Sequence, residues 1–155
     1  PALHVVGAQI SEDEAYVGEL QARVAEAGAS DDVRFDANVT QAEKAEHLRG
    51  FSVLAVPATY SESFGLYMLE AMASGVPVVA PRHSAFPEVV NATEGGLLYE
   101  PNTAEALSEA LERLIRDPVR AAALGESGRC HVRDGFTADR MARDVAAVLG
   151  VVGVS

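Results

Sequence analysis

A doubly wound, Rossmann-like parallel sheet is the fold class this sequence predicts, on three observations. Apolar runs of four to six residues alternate with segments of helical period along the chain, which is the pattern of strands covered on both faces by crossover helices. Several of these runs stop at a Gly or Pro, as at Gly7, Pro57 and Pro81, and such residues punctuate strand-to-helix turns. The 155 residues, 48% of them hydrophobic, suffice for one domain with its own core and little more.

Leu3 to Val6 reads as a buried strand with Gly7 as its turn. A core strand two residues from the first residue is abrupt and leads us to expect further chain upstream. Ser11 and Glu14 have the spacing of a capping box opening an amphipathic helix that Gly28 stops. Val33 to Phe35 is the next strand, followed by the loop Asp36-Ala37-Asn38-Val39. Thr40 and Glu43 cap a short helix ending at Gly50. Phe51 to Val56 is a strongly apolar strand closed by Pro57. A loop then enters a helix from about Phe64 to Ser74, stopped by Gly75. Pro77 to Ala80 is a further buried strand, and Pro87 suits the first turn of the next helix. Leu97 to Tyr99 is the fifth strand. Asn102 with Glu105 caps a helix that carries Leu107, Leu111 and Leu114 on one face. After Asp117-Pro118, helices over about Val119 to Arg133 and Ala138 to Leu149 lead to the tail VVGVS, read as frayed or docked elsewhere.

The net charge of −11 repels polyanions and argues against nucleic-acid binding. Any phosphate ligand must therefore be met by backbone N–H groups and a few local cations. No apolar run reaches the length of a membrane span, and the first residues lack a signal-peptide pattern, so a soluble protein without an integral membrane segment is expected. The one cysteine, Cys130, agrees with a reducing cytoplasm and reads as inert. The sequon Asn91-Ala92-Thr93 has no meaning there. His4 reads as packed within its strand, and His47 and His131 as helix-surface residues.

The chemistry concentrates between Leu54 and Val90. Glu62 lies in the loop before a helix and Glu70 inside it, so the two do not share a helical face and do not make a proton-sharing pair. Between them lies the helix start, with the N–H groups of Ser63, Phe64, Gly65 and Leu66 expected free to meet an anion. Gly65 allows close approach to the backbone. A carboxylate on either side of an anion site suits hydroxyl-rich groups flanking a phosphate; by spacing alone Glu62 reads equally as a plain loop acid and Glu70 as a surface helix residue. Arg82 and His83, with Ser84, end a strand where the rim of a cleft is expected; a solvated loop pair is the simpler reading of the first two.

The run PATYSESFGLYMLEAMASGVPVVA resembles the signature of retaining glycosyltransferases of the GT-B fold, most closely glycosyltransferase family 4, the group 1 glycosyl transferases. A proline-ending strand, E-x-F-G, a second Glu eight positions on and E-A-M-A-x-G-x-P-V-V recur together there. The resemblance extends more weakly over nearly the whole chain and covers the C-terminal, donor-binding half of that fold, with its first strand missing. It implies that residues 1–155 are a single nucleotide-sugar-binding domain of a two-domain enzyme, whose N-terminal acceptor-binding domain is absent. It implies a catalytic role for Glu62 on the donor sugar, sugar and phosphate binding by Ser63, Phe64, Gly65 and Leu66, and ribose binding by Glu70. Gly7, Ala37, Asn38 and Val39 are implied to line the nucleotide. No metal or other cofactor is implied, since the leaving diphosphate itself assists attack.

The chain also departs from the family pattern. Ser84-Ala85-Phe86-Pro87-Glu88 stands where G-G-x-P-E is usual, which narrows the room near that loop. Ala37 replaces the glycine of an F-x-G turn. The Arg and Lys that grip the diphosphate in the family would lie upstream of Leu3, so residues 1–155 alone are expected to be inactive. A sugar phosphorylase or a glycogen or sucrose synthase relative is a neighbouring reading. The only lysine, Lys44, is misplaced for a phosphorylase cofactor. A degenerate, non-catalytic interaction or regulatory module is the other alternative, favoured by the altered loop and the acidity.

Overall fold

The computed structural model describes residues 1–150; the tail Val151 to Ser155, and the reading of it as frayed or docked, lie outside the described residues. Among the described residues, five strands are each followed by a helix, and two further helices close the order, seven α-helices in all. Every strand pairing is parallel, as expected for strands joined by helical crossovers. The strands form two ladders, β1-β2 and β3-β4-β5, and the chain divides into two compact units, Pro1–His47 and Leu48–Ser155.

In the first unit β1 (Leu3–Gly7) runs beside β2 (Val33–Ala37), with Leu3 opposite Val33 and Gly7 opposite Ala37. The expectation that β1 is a buried strand is not met: Leu3 and Val5 are 52% and 41% exposed. A ladder two strands wide offers too narrow a face to bury a helix against, and α1 (Glu14–Glu26) contains no buried residue. The start of α1 also differs. A 3-10 turn, Ser11–Asp13, precedes it, and Asp13 rather than Glu14 makes the reciprocal bond, its Oδ2 accepting from Ile10 N–H at 3.1 Å. Ser11 turns its hydroxyl to Glu12 instead. The capping box of α2 (Gln41–Gly50) forms as expected: Glu43 accepts from the Thr40 N–H and hydroxyl, both at 2.7 Å, and Glu43 N–H donates to Thr40 Oγ1 at 3.3 Å. These bonds hold the Glu43 carboxyl below its ordinary range.

The second unit holds the core. β4 (Val78–Pro81) lies between β3 (Leu54–Ala55) and β5 (Gly96–Tyr99), and Val78, Val79 and Ala80 have no exposed surface. Met68, Ala71 and Met72 of α3 (Leu66–Ala73) and Phe86 of α4 (Phe86–Thr93) are equally buried. The third strand is shorter than its apolar run, because only Leu54 and Ala55 lie in register with β4. Beyond them, Val56 N–H still reaches Val79 O at 2.9 Å. The wholly buried Thr93 donates its hydroxyl to Val89 O at 2.8 Å.

Three helices complete this unit: α5 (Ala104–Ile115), α6 (Pro118–Gly135) and α7 (Ala138–Val148). Thr103, not Asn102, caps α5, its hydroxyl accepting from Ala106 N–H at 3.3 Å. Asp117 and Thr137 cap the next two in the same way. Backbone contact brings α6 close to the turn after α3: a Cβ on Gly125 would stand 2.1 Å from Gly75 O, a distance only glycine allows. Cys130 is exposed on α6, and Glu126, accepting from its thiol, pushes its pKa up, away from the thiolate that reactivity needs.

Candidate functional site

The loop from Pro57 to Gly65 leaves the carboxyl end of β3, where an open α/β sheet places its ligands. Helix α3 begins at Leu66 rather than Phe64, because Gly65 sits in the left-handed region at φ 80° and is the N-cap. A side chain on Gly65 would strain that backbone and meet Met68 Cε at 3.0 Å. The glycine thus fixes how the preceding loop enters the helix.

Ahead of it, Glu62 folds over its own loop. Its Oε1 accepts from Ser63 N–H at 2.9 Å and from Phe64 N–H at 3.3 Å. The expectation that these two N–H groups are free is therefore corrected. A carboxylate beside them is the nearest negative group and takes both donors. The backbone of Glu62 is held from the other side: Ser84 donates its hydroxyl to Glu62 O at 2.5 Å, and Ala85 N–H reaches the same oxygen at 3.3 Å. Ser84 has φ 57°, so a residue with a Cβ occupies the left-handed region where the resembling family carries glycine. Its hydroxyl offsets part of that cost by tying the β4–α4 turn to the Glu62 loop.

Arg82 is exposed and pairs loosely with Glu100 at 3.4 Å, much as a solvated loop residue would. His83 is not solvated. Its ring is half-buried, 5.5 Å from Phe86 edge-to-face, and its Nε2 lies 3.2 Å from Ala58 O and 3.0 Å from Asn102 Nδ2. Asn102 also donates to Ala58 O at 3.0 Å and accepts from Tyr99 OH at 3.1 Å. Tyr99 reaches Val56 O as well, and burial raises its phenol pKa. Three side chains, His83, Asn102 and Tyr99, thus brace the backbone at Val56 and Ala58, just before Glu62.

Sequence reasoning missed this brace, since Asn102 reads there as a helix cap. It also missed Tyr67. Burial raises the Tyr67 pKa, and the neighbouring Tyr60 and Glu62 raise it further, so a neutral phenol flanks the Glu62 loop. The Y-S-E and G-L-Y triplets place both tyrosines near Glu62 in sequence, which is the only local signal. Glu70 is half-buried on α3, and its carbonyl accepts from Ser74 N–H at 3.2 Å and Ser74 Oγ at 2.9 Å.

In the first unit, Asn38 is left-handed at φ 55°, a conformation asparagine tolerates. Its side chain bridges to Gln9, accepting from Gln9 N–H and donating to Gln9 O, both at 2.9 Å. Its own N–H donates to Gly7 O at 2.8 Å. These bonds bring Gly7 and the Ala37-Asn38-Val39 loop together at the carboxyl end of β1 and β2. A cleft of about 100 Å³ opens there, with Gly7, Gln9, Phe35 and Ala37 on its walls.

The family model "Glycosyl transferases group 1" matches residues 1–131. A D-inositol 3-phosphate glycosyltransferase of Streptomyces griseus is 39% identical over 114 residues, covering 74% of this chain and 24% of that protein. Among solved structures, the sucrose-phosphate synthase of Thermosynechococcus elongatus aligns over 97% of this chain and 38% of its own, with 32% identity and a TM-score of 0.85. The C-terminal domain of a group 1 family glycosyl transferase (LpcC) from Francisella tularensis aligns over 88% of this chain and 70% of its own, at 27% identity and a TM-score of 0.78. The chain spans about a quarter of the length of the Streptomyces relative. These likenesses bear out the Rossmann-like α/β class.

Proposed function

This chain belongs to the glycosyl transferases group 1 family, and we propose that residues 1–155 are the nucleotide-sugar-binding domain of a two-domain retaining glycosyltransferase. The whole enzyme moves a sugar from a nucleotide-diphosphate donor to an acceptor held by an N-terminal domain. The observation that carries this reading is the Glu62 turn, where backbone N–H groups already hold a carboxylate at the start of α3. Donors that accept one negative group here can accept another.

In this reading Glu62 is catalytic and acts on the donor sugar, and its carboxylate exchanges its present amide partners for sugar hydroxyls when donor enters. The amides of Ser63, Phe64, Gly65 and Leu66 then meet sugar and phosphate oxygens, and Glu70 holds the ribose hydroxyls. In the first unit Gly7, Ala37, Asn38 and Val39 line the nucleotide. Ser84 and His83 brace the loop, and Arg82 supplies positive charge at the rim. The bond from the anomeric carbon to the diphosphate breaks as the acceptor hydroxyl oxygen bonds to that carbon on the same face, and the leaving diphosphate takes up the hydroxyl proton. In this reading no metal is required. Among the described residues no helix is long and apolar enough to cross a membrane; together with the lone Cys130 this supports a cytoplasmic enzyme.

The test uses the full-length protein and calorimetry with UDP-, GDP- and ADP-sugars. One donor class binds; Glu62→Gln keeps that binding but loses about a hundredfold or more in transfer rate, as for removal of one group that acts in the transition state. Glu70→Gln weakens nucleotide and nucleotide-sugar binding alike. Absence of binding to every donor, together with an inert Glu62→Ala, establishes the non-catalytic module instead.

A further inference from the structure

Three metal-ligating side chains of the first unit converge outside the residues used above. His4 on β1, Asp36 on β2 and His47 on α2 each present a ligand atom, and these atoms lie within 4.8 Å of one another. Strand register brings the first two together. His4 stands opposite Arg34, and Asp36, two residues further along β2, projects from the same sheet face. The His47 ring then sits edge-on to that of His4, with centroids 6.3 Å apart and planes at 65°. Neither histidine reads as expected: His4 is exposed rather than packed in its strand, and His47 is half-buried rather than on a helix surface.

Asp36 supplies the second observation. Its Oδ1 accepts from Arg34 Nε at 2.7 Å, whereas Oδ2 is buried with no hydrogen-bond partner. A carboxylate oxygen withdrawn from water without a donor costs free energy, and a bound ion is one of the few explanations for it. Two imidazoles within reach of that carboxylate make a cation the partner of choice.

We propose that His4, Asp36 and His47 bind one divalent transition-metal ion of the zinc class, through two imidazole nitrogens and Asp36 Oδ2, with water completing the shell. Imidazole donors select zinc, cobalt and nickel ions over calcium and magnesium, which prefer all-oxygen shells. Metal–ligand bonds of about 2.0–2.2 Å require the ligand atoms to draw together by roughly 1 to 2 Å, which rotation of the exposed His4 side chain supplies. The net charge of −11 favours cations. The Arg34 guanidinium opposes the ion, but its side chain is 66% exposed and free to swing into water. Glu43, one turn before His47, is committed to Thr40 and does not complete the shell. The ion ties β1, β2 and α2 together, so its role is to stabilise the first unit. The proposal stands independently of the glycosyltransferase reading.

The 155-residue chain, stripped with chelator, is titrated with Zn²⁺ by calorimetry and with Co²⁺ by visible absorption. One equivalent binds saturably, and the melting temperature rises with zinc; Mg²⁺ and Ca²⁺ at the same concentration produce neither effect. His4→Gln, Asp36→Asn and His47→Gln each weaken zinc binding at least about tenfold, as loss of one ligand of three should, while Cys130→Ser leaves it unchanged. X-ray absorption of the Co²⁺-loaded wild-type chain shows two imidazole ligands, a readout that needs no variant to fold. Lack of saturable binding, a cobalt shell with fewer than two imidazoles, or binding lost with Cys130→Ser overturns the proposal.

Discussion

The two units of this chain support their loops by different means. In the second unit the Glu62 loop is braced on a strand and two helices whose facing side chains, Val78, Ala80, Met68, Met72 and Phe86, have no exposed surface. In the first unit the Gly7 and Asn38 turns rest on a two-stranded ladder whose Leu3 and Val5 are half exposed. There the loop geometry is held by polar bonds, chiefly the Asn38–Gln9 bridge. Close packing resists a change of volume, and hydrogen bonds resist loss of a partner. The same kind of loop conformation, left-handed at Asn38 and at Ser84, thus has different failure modes in the two regions.

Volume should matter most in the second unit. Gly125→Ala places a methyl 2.1 Å from Gly75 O and should cost about 3 kcal/mol or more of unfolding free energy in urea titration. A loss under about 1 kcal/mol would mean that α6 yields easily and that the contrast between the units is smaller than drawn. Native-state hydrogen exchange compares the units directly. Amides of β4 and α3 should exchange at least about a hundredfold more slowly than those of β1 and β2. Equal protection would show one cooperative block.

Polar truncation should bite in the first unit. Asn38→Ala removes both bonds to Gln9 and puts alanine at φ 55°, for an expected loss of about 2 kcal/mol; Asn38→Gly loses less, because glycine accepts the backbone. At Ser84 the corresponding change is smaller. Ser84→Ala loses the bond to Glu62 O and costs about 1 kcal/mol, while the surrounding core keeps the turn in place.

The smallest effect is on alkaline stability. Tyr67 and Tyr99 titrate above their ordinary value in the folded chain, so the folded state holds these protons more tightly than the unfolded one. Their stabilisation is complete below about pH 10 and falls as pH rises above it. Tyr67→Phe and Tyr99→Phe should each flatten that alkaline slope in melts followed by circular dichroism; an unchanged slope would place both phenols in water.

Much of this was legible in the order of residues. The apolar runs and their Gly and Pro stops determined five parallel strands with helices between them, because burial on both faces demands such runs whatever the neighbours are. The Thr40–Glu43 box and the Gly75 stop are local, and they form as written. Glu62 before a helix start and Glu70 within it follow from spacing alone. Other features depended on partners distant in the chain. Asn102 leaves the helix it was expected to cap because His83, Tyr99 and Ala58 O lie beside it. The Glu62 amides are taken by a side chain whose rotamer spacing cannot state. His4, Asp36 and His47 meet only because β1 and β2 pair in one register with α2 beside them. Periodicity and the Thr40–Glu43 box are properties of neighbours within a few residues, so sequence determines them; the cap of α5, register and side-chain convergence are set by burial and pairing across the fold, so only tertiary structure decides them.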